Sequence, residues 1–193
     1  MKLTARSVSD LLAAFRSSEP TPGGGSAAAL AGAVGASLLA MVAGLPKSKA
    51  ATDDHARRLA EAAVRCTELA VTLEALIDQD SDAYGLVVGA FRMPKGTDDE
   101  KAARTAGIQR AMAAATEAPL EVMRRIAETL QAAPVVLELG NTNAVSDAAV
   151  GVGLLHAGLQ GAQQNVEVNL GSLKDAAYVA RVREEIASLT IRP

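Results

Sequence analysis

The chain has 193 residues, a net charge of −3, 49% hydrophobic residues and only 2% aromatic ones. That length suits one domain, residues 1–193, with a core of its own, and the mild acidic balance without a clustered Lys/Arg face excludes a nucleic-acid binder. The lone Cys66 excludes an internal disulfide, and the charged, broken opening MKLTARSVSDLLAAF does not read as a signal peptide, so a cytoplasmic setting is expected.

About a fifth of the residues are alanine, the best helix former. A compact all-α bundle of five to six helices is therefore expected. The first helix begins at Ser7 as N-cap with Asp10 three residues on, and Pro20 and Pro22 close that segment. An Ala/Gly-rich helix then runs from about Gly25 to Leu45 and stops at Pro46. A long helix follows from about Asp53 to Met93, with Leu59, Cys66, Leu69, Leu73, Ile77, Tyr84, Val87, Val88 and Phe91 recurring at three and four. Forty residues would span roughly 60 Å, so a bend or break near Asp78–Asp82 is expected. TDDE reads as a capping box, Thr97 with Glu100. The next helix carries Ile108, Met112, Ala115, Val122, Ile126 and Leu130; Pro119 should kink it and Pro134 should end or restart it. LGNTNAVSD is a turn-rich connector, a helix from about Ser146 to Leu170 follows, and SLKD caps the last one, to about Leu189.

The stretch PTPGGGSAAALAGAVGASLLAMVAGL, residues 20–45, is the most distinctive. It has the length of a membrane span, but Ala, Gly and Ser contribute little to insertion, so no membrane association is expected. No P-loop lysine follows the glycines, and a GxGxxA match at Gly23, Gly25 and Ala28 lacks the preceding strand a dinucleotide site requires. What remains is a glycine turn feeding a helix N-terminus. The backbone N–H groups of Gly24, Gly25, Ser26 and Ala27 form an acceptor-binding surface there. Gly32, Gly35 and Ala28 would let another helix pack closely. A helix cap with close packing and no ligand reads equally well.

Position 80 of the long helix continues its apolar stripe, yet holds Asp80. A carboxylate there must be satisfied, paired or functional. Burial would raise its pKa toward that of a useful base, whereas capping a neighbouring helix is the structural alternative. Asp78 and Asp82 should point elsewhere, Asp82 into solvent. Asn141, Asn143, Ser146 and Asp147 crowd one turn, and Asn165 and Asn169 stand at i, i+4 on an otherwise apolar helix. Such amides suit a heterocycle's donors and acceptors, or bridge helix ends. Cys66 reads as a core residue and His156 as structural. With two His and one Cys, no metal-ligand spacing is present.

In order, PTPGGGSAAALAGAVGASLLAMVAGL, DQDSDAYGLVVGAFRMPKGTDDEKAAR, GNTNAVSD and NVEVN resemble the cyclodeaminase/cyclohydrolase family over nearly the whole chain, about Ser7 to Leu189. That family includes methenyltetrahydrofolate cyclohydrolase and the formimidoyltetrahydrofolate cyclodeaminase domain. The resemblance implies an all-helical homodimer binding a tetrahydrofolate derivative as substrate, with no prosthetic group or metal. It places the family's D-x-x-A-F on Asp80, Ala83 and Tyr84. P-G-G-G-S falls on Pro22, Gly23, Gly24, Gly25 and Ser26. G-N-x-N-x-x-S-D falls on Gly140, Asn141, Asn143, Ser146 and Asp147, and N-V-x-x-N on Asn165 and Asn169. Where family members read L-T-x-G-K-K-x-Y, this chain reads LPKSKAAT, with Lys49 standing for a basic residue of the motif. The resemblance implies catalysis by Asp80, with Asp147 as second candidate. It implies a heterocycle edge read by the asparagines and substrate carboxylates met by Lys47, Lys49 or Lys95. The activity implied is hydrolysis of 5,10-methenyltetrahydrofolate to 10-formyltetrahydrofolate. The alternatives are formimidoyltetrahydrofolate cyclodeamination or a non-catalytic folate-binding or structural dimer.

Overall fold

The computed structural model describes residues 2–190 and is all-α. Its helices are α1 (Val8–Phe15), α2 (Gly24–Gly44), α3 (Asp53–Phe91), α4 (Asp98–Leu139), α5 (Val145–Leu170) and α6 (Ala176–Leu189), with short 3-10 turns at Leu3–Ala5 and Thr142–Ala144. The N-terminal signals act as their chemistry dictates. Ser7 accepts the Asp10 N–H at 3.2 Å. Thr97 and Glu100 close a reciprocal capping box, and Asp175 caps α6 through the N–H groups of Ala177 and Tyr178.

The Ala/Gly helix is the axis of the bundle. α2 packs most extensively against α3 and α5, and α4 closes the remaining side. It is long and apolar enough to cross a membrane by length and composition, and half of that window is buried inside the fold. Its small residues explain the packing. A Cβ on Gly35 would lie 2.7 Å from the Gly151 carbonyl, and one on Gly158 would lie 2.9 Å from the Ala28 carbonyl. The two backbones therefore approach more closely than side chains permit elsewhere. Around this seam Leu39, Leu73, Leu120, Met123, Ile126 and Leu155 are fully buried, each contributing about 1.5–3 kcal/mol by the removal of its apolar surface from water. α6 is fastened by buried Val182 and Ile186 and by Arg124 of α4, whose Nε donates to Glu185 at 2.6 Å.

α3 is continuous, with no break at Asp78–Asp82, and α4 does not end or restart at Pro134 as expected from the sequence but continues through it, as it does through Pro119. A proline removes one intrahelical hydrogen bond. α4 compensates with apolar burial on both sides of each proline, from Ala115 to Val136. Tyr84 and Phe91, read as core positions, are exposed at 41% and 53%, because at this end of α3 it is Val87 and Ala90 that pack on α4, with Ala83 beside them. Cys66 is fully buried, and burial pushes its thiol up to about 11. His156 is exposed.

Asp78 points away from the side that Asp80 occupies, as expected, and the structure shows where it goes. It is buried, accepting the Leu3 N–H at 2.5 Å and the Thr4 hydroxyl at 2.7 Å. It thereby pins the N-terminal 3-10 turn to α3, while Asp82 is exposed as expected. Asp78→Ala should leave the Leu3 N–H buried without its acceptor and destabilise by about 1–3 kcal/mol, with turnover of the folded protein unchanged. An unaltered urea midpoint would show the clamp to be dispensable.

Candidate active site

The N-terminus of α2 has no capping side chain of its own. Gly23 occupies the N-cap in extended conformation and makes no side-chain bond. The cap comes instead from α3. Ser26 donates from its hydroxyl to Asp80 Oδ2 at 3.0 Å, and its backbone N–H also donates to that carboxylate. The same hydroxyl lies 3.0 Å from the Ile77 carbonyl, which fixes the first turn of α2 on α3. Gly25 is required by this arrangement, since a Cβ there would overlap the Asp80 carboxylate. Both sequence readings of Asp80 therefore meet in one geometry: it caps a helix, and it faces a cavity. Burial raises its carboxyl above the ordinary value, and the two Ser26 hydrogen bonds partly oppose that rise.

The cavity beside it has a volume of about 310 Å³. One wall is the turn of Pro20, Thr21, Gly23, Gly24 and Gly25; the floor is Asp80. Asn165 and Asn169 of α5 face them across the space. Asn165 Nδ2 donates to the Gly161 carbonyl at 2.8 Å and packs directly on Gly24, whose added Cβ would lie 3.0 Å from it. Asn169 Nδ2 donates to the Ala115 carbonyl at 2.8 Å. Each amide is thus anchored by one N–H, leaving an acceptor oxygen and a second donor. Acceptor, donor and a carboxylate of raised pKa converge on one pocket, the constellation that marks a candidate acid–base site.

The other predicted residues lie elsewhere. Asn141 donates from Nδ2 to the Pro46 carbonyl at 2.5 Å and accepts the Asn143 N–H at 2.8 Å. Ser48 pairs with Asn141, and the Lys49 N–H donates to the Leu139 carbonyl at 2.8 Å. This group, with Asp147 in the first turn of α5, sits at the opposite end of α2, about 30 Å along a helix of 21 residues. Asn141 is therefore occupied in tying the α2–α3 loop to the α4–α5 turn, and neither it nor Asn143, Asp147 or Lys49 lines the Asp80 cavity. Lys95 is exposed on the α3–α4 loop, also outside it. Sequence reasoning passed over Thr21, Val87, Met112 and Val168 as lining residues. It placed Tyr84 in the core, where the structure puts it at the cavity.

Residues 7–188 match the family model described as formiminotransferase-cyclodeaminase. The chain belongs to the formiminotransferase-cyclodeaminase family. Among its members, a methenyltetrahydrofolate cyclohydrolase from Methylorubrum extorquens is 41% identical over 182 residues, covering 94% of this chain and 88% of that protein. A formimidoyltransferase-cyclodeaminase from Rattus norvegicus is 30% identical over 168 residues, 87% of this chain but 31% of the rat protein. The crystal structure of a formiminotetrahydrofolate cyclodeaminase from Thermotoga maritima superposes with a TM-score of 0.85 at 24% identity, covering 97% of this chain and 90% of that one. The family fold is thus the helical arrangement described above.

Proposed function

We propose that the chain hydrolyses 5,10-methenyltetrahydrofolate to 10-formyltetrahydrofolate at the Asp80 cavity. The observation that carries this reading is the Asp80 carboxylate itself: held by Ser26, raised in pKa by burial, and opposed across the pocket by two anchored amides. The relative of 41% identity carries the cyclohydrolase name. In the reaction, water attacks the methenyl carbon and Asp80 accepts its proton. The resulting tetrahedral adduct has lost the amidinium charge. Its N5–carbon bond breaks as N5 takes a proton and the hydroxyl becomes the formyl carbonyl, so that one proton is released overall. A carboxylate beside the cationic carbon both favours binding of the charged substrate and supplies the base. The cavity suits the bicyclic end of the folate, with Asn165 and Asn169 reading the donor–acceptor edge and the tail extending outward.

The test follows the methenyl absorbance on adding purified protein. Catalysed loss above the spontaneous rate supports the reading. The relatives bearing the cyclodeaminase name favour a second activity, in which N10 closes on a formimidoyl carbon and ammonia leaves; ammonia release from 5-formimidoyltetrahydrofolate would identify it. Tetrahydrofolate binding without either turnover would indicate a binding protein.

The same reading includes a homodimer. A groove of about 670 Å³ runs between α1, α2 and α3, lined by Leu30, Val34, Leu38, Met41, Ala70 and Val71 with few polar groups. Val8 and Val71 beside it are 75% and 63% exposed. An apolar surface of this extent, on the outer face of the central helix, suits a second copy of the chain. Light scattering at micromolar concentration should give twice the chain mass, and Val34→Glu should halve it. A monomeric wild-type protein would refute the dimer.

A further inference from the structure

Pro119 stands in the middle of α4, buried, in a helix that does not end there. In an uninterrupted α-helix the N–H of residue 119 would bond the carbonyl of Ala115. Proline has no N–H, and its ring also presses that carbonyl outward from the helix. Ala115 is 8% exposed, so its carbonyl must find another partner. The partner is Asn169 Nδ2, 54 residues away on α5 and 2.8 Å distant. Ala115 and Asn169 both line the Asp80 cavity. Pro134, the other proline within α4, is exposed and lies outside the cavity.

We infer that Pro119 is a positioning residue of the site: by withholding an N–H it leaves the Ala115 carbonyl open to the Asn169 amide and so fixes the orientation in which Asn169 meets a ligand. Asn165 needs no such device, because it anchors on the carbonyl four residues back in its own helix. Asn169 instead crosses to another helix for its acceptor. A buried proline in an otherwise continuous helix thus has a role at the pocket rather than at a helix boundary. The expected ligand, the heterocyclic edge of a tetrahydrofolate, rests on the function proposed above; the Pro119–Ala115–Asn169 linkage does not.

Pro119→Ala restores an N–H to the Ala115 carbonyl and removes the ring that presses it outward, so the carbonyl turns back toward the helix axis and away from Asn169. Tetrahydrofolate affinity measured by calorimetry should fall roughly tenfold, the scale of one lost hydrogen bond, and KM should rise in parallel while kcat stays within about threefold. Asn169→Ala should show the same loss, and the double variant no more than either single one. Losses that add would overturn the linkage, as would an equal loss in Pro134→Ala. If Pro119→Ala does not fold, Asn169→Asp decides. It keeps an acceptor oxygen but cannot donate to Ala115, so retained affinity would overturn the inference and a loss matching Asn169→Ala would support it. A readout independent of ligand is the side-chain amide of Asn169 in a ¹⁵N spectrum. One of its protons should be protected from exchange in the wild type and unprotected in folded Pro119→Ala. Unchanged protection would refute the linkage. A wild-type protein that binds no tetrahydrofolate yet shows this protection would remove the proposed function and leave the linkage standing.

Discussion

Asp80→Asn should lose about two to four powers of ten in kcat, the usual contribution of a positioned acid–base group, while its fold persists. The amide keeps the size of the carboxylate and one oxygen to accept from Ser26 Oγ, 3.0 Å away in the wild type. It removes both the base and the negative charge beside the cationic substrate. Stability should hold or rise at neutral pH, and the sign follows from burial. The raised pKa of Asp80, caused chiefly by desolvation and opposed by Ser26, means that the folded state holds its proton more tightly than the unfolded chain does. That contribution is complete below the ordinary carboxylate value of 3.8 and is lost as pH rises through the folded value. The wild type therefore loses stability from this group on going from acid to neutral pH, and Asp80→Asn does not. Urea midpoints of the two proteins should diverge in favour of the variant across that window. The acid limb of kcat/KM should likewise fall above the ordinary carboxylate range. A folded Asp80→Asn protein with near-native kcat would remove Asp80 from the mechanism; a variant that unfolds readily but turns over normally when folded would leave it only the role of a cap.

Gly25→Ala should be nearly as damaging to turnover, by displacement rather than by chemistry. The new methyl would overlap the Asp80 carboxylate, and that carboxylate, at the end of a rotatable side chain, is the part free to yield. On yielding it gives up both donors of Ser26 and leaves the first turn of α2 without its cap. A shift of about 1 Å in a catalytic group costs about a hundredfold in rate, and an unsatisfied buried polar group costs about 1–3 kcal/mol. The expected result is a folded, destabilised protein with kcat lowered by about two powers of ten. Circular dichroism, the urea midpoint and kcat on one preparation check all three parts. Native turnover in a folded Gly25→Ala variant would show that Asp80 can leave Ser26 without consequence, which would contradict the geometry of the site.

The amino-acid sequence by itself determined the helices and their starts. The capping residues Ser7, Thr97 with Glu100, and Asp175 act within a few residues of themselves, and local hydrogen bonding is written in local sequence. It also determined that α2 would be a tightly packed helix, because Ala and Gly at its surface have only that use. Asp80 was legible because a carboxylate interrupts an apolar stripe of period 3.6. The same periodicity turns its neighbour Asp78 away from it, but what Asp78 meets there was not legible: its partners, Leu3 and Thr4, lie more than seventy residues away, and no local pattern announces them. The end or restart expected at Pro134 does not occur, for a related reason. Propensity prices the missing bond, and only the packing of α4 against its neighbours shows that it is outweighed. The division of the polar residues was likewise decided by tertiary structure alone. Asn165 and Asn169 reach the Asp80 cavity because α5 runs alongside α2, whereas Asn141, Asn143, Asp147 and Lys49 fall at the far end of the same seam. Spacing along a chain gives the face of a helix on which a side chain stands; which end of a neighbouring helix it meets depends on how the helices are stacked, and that is fixed by contacts between residues far apart in sequence.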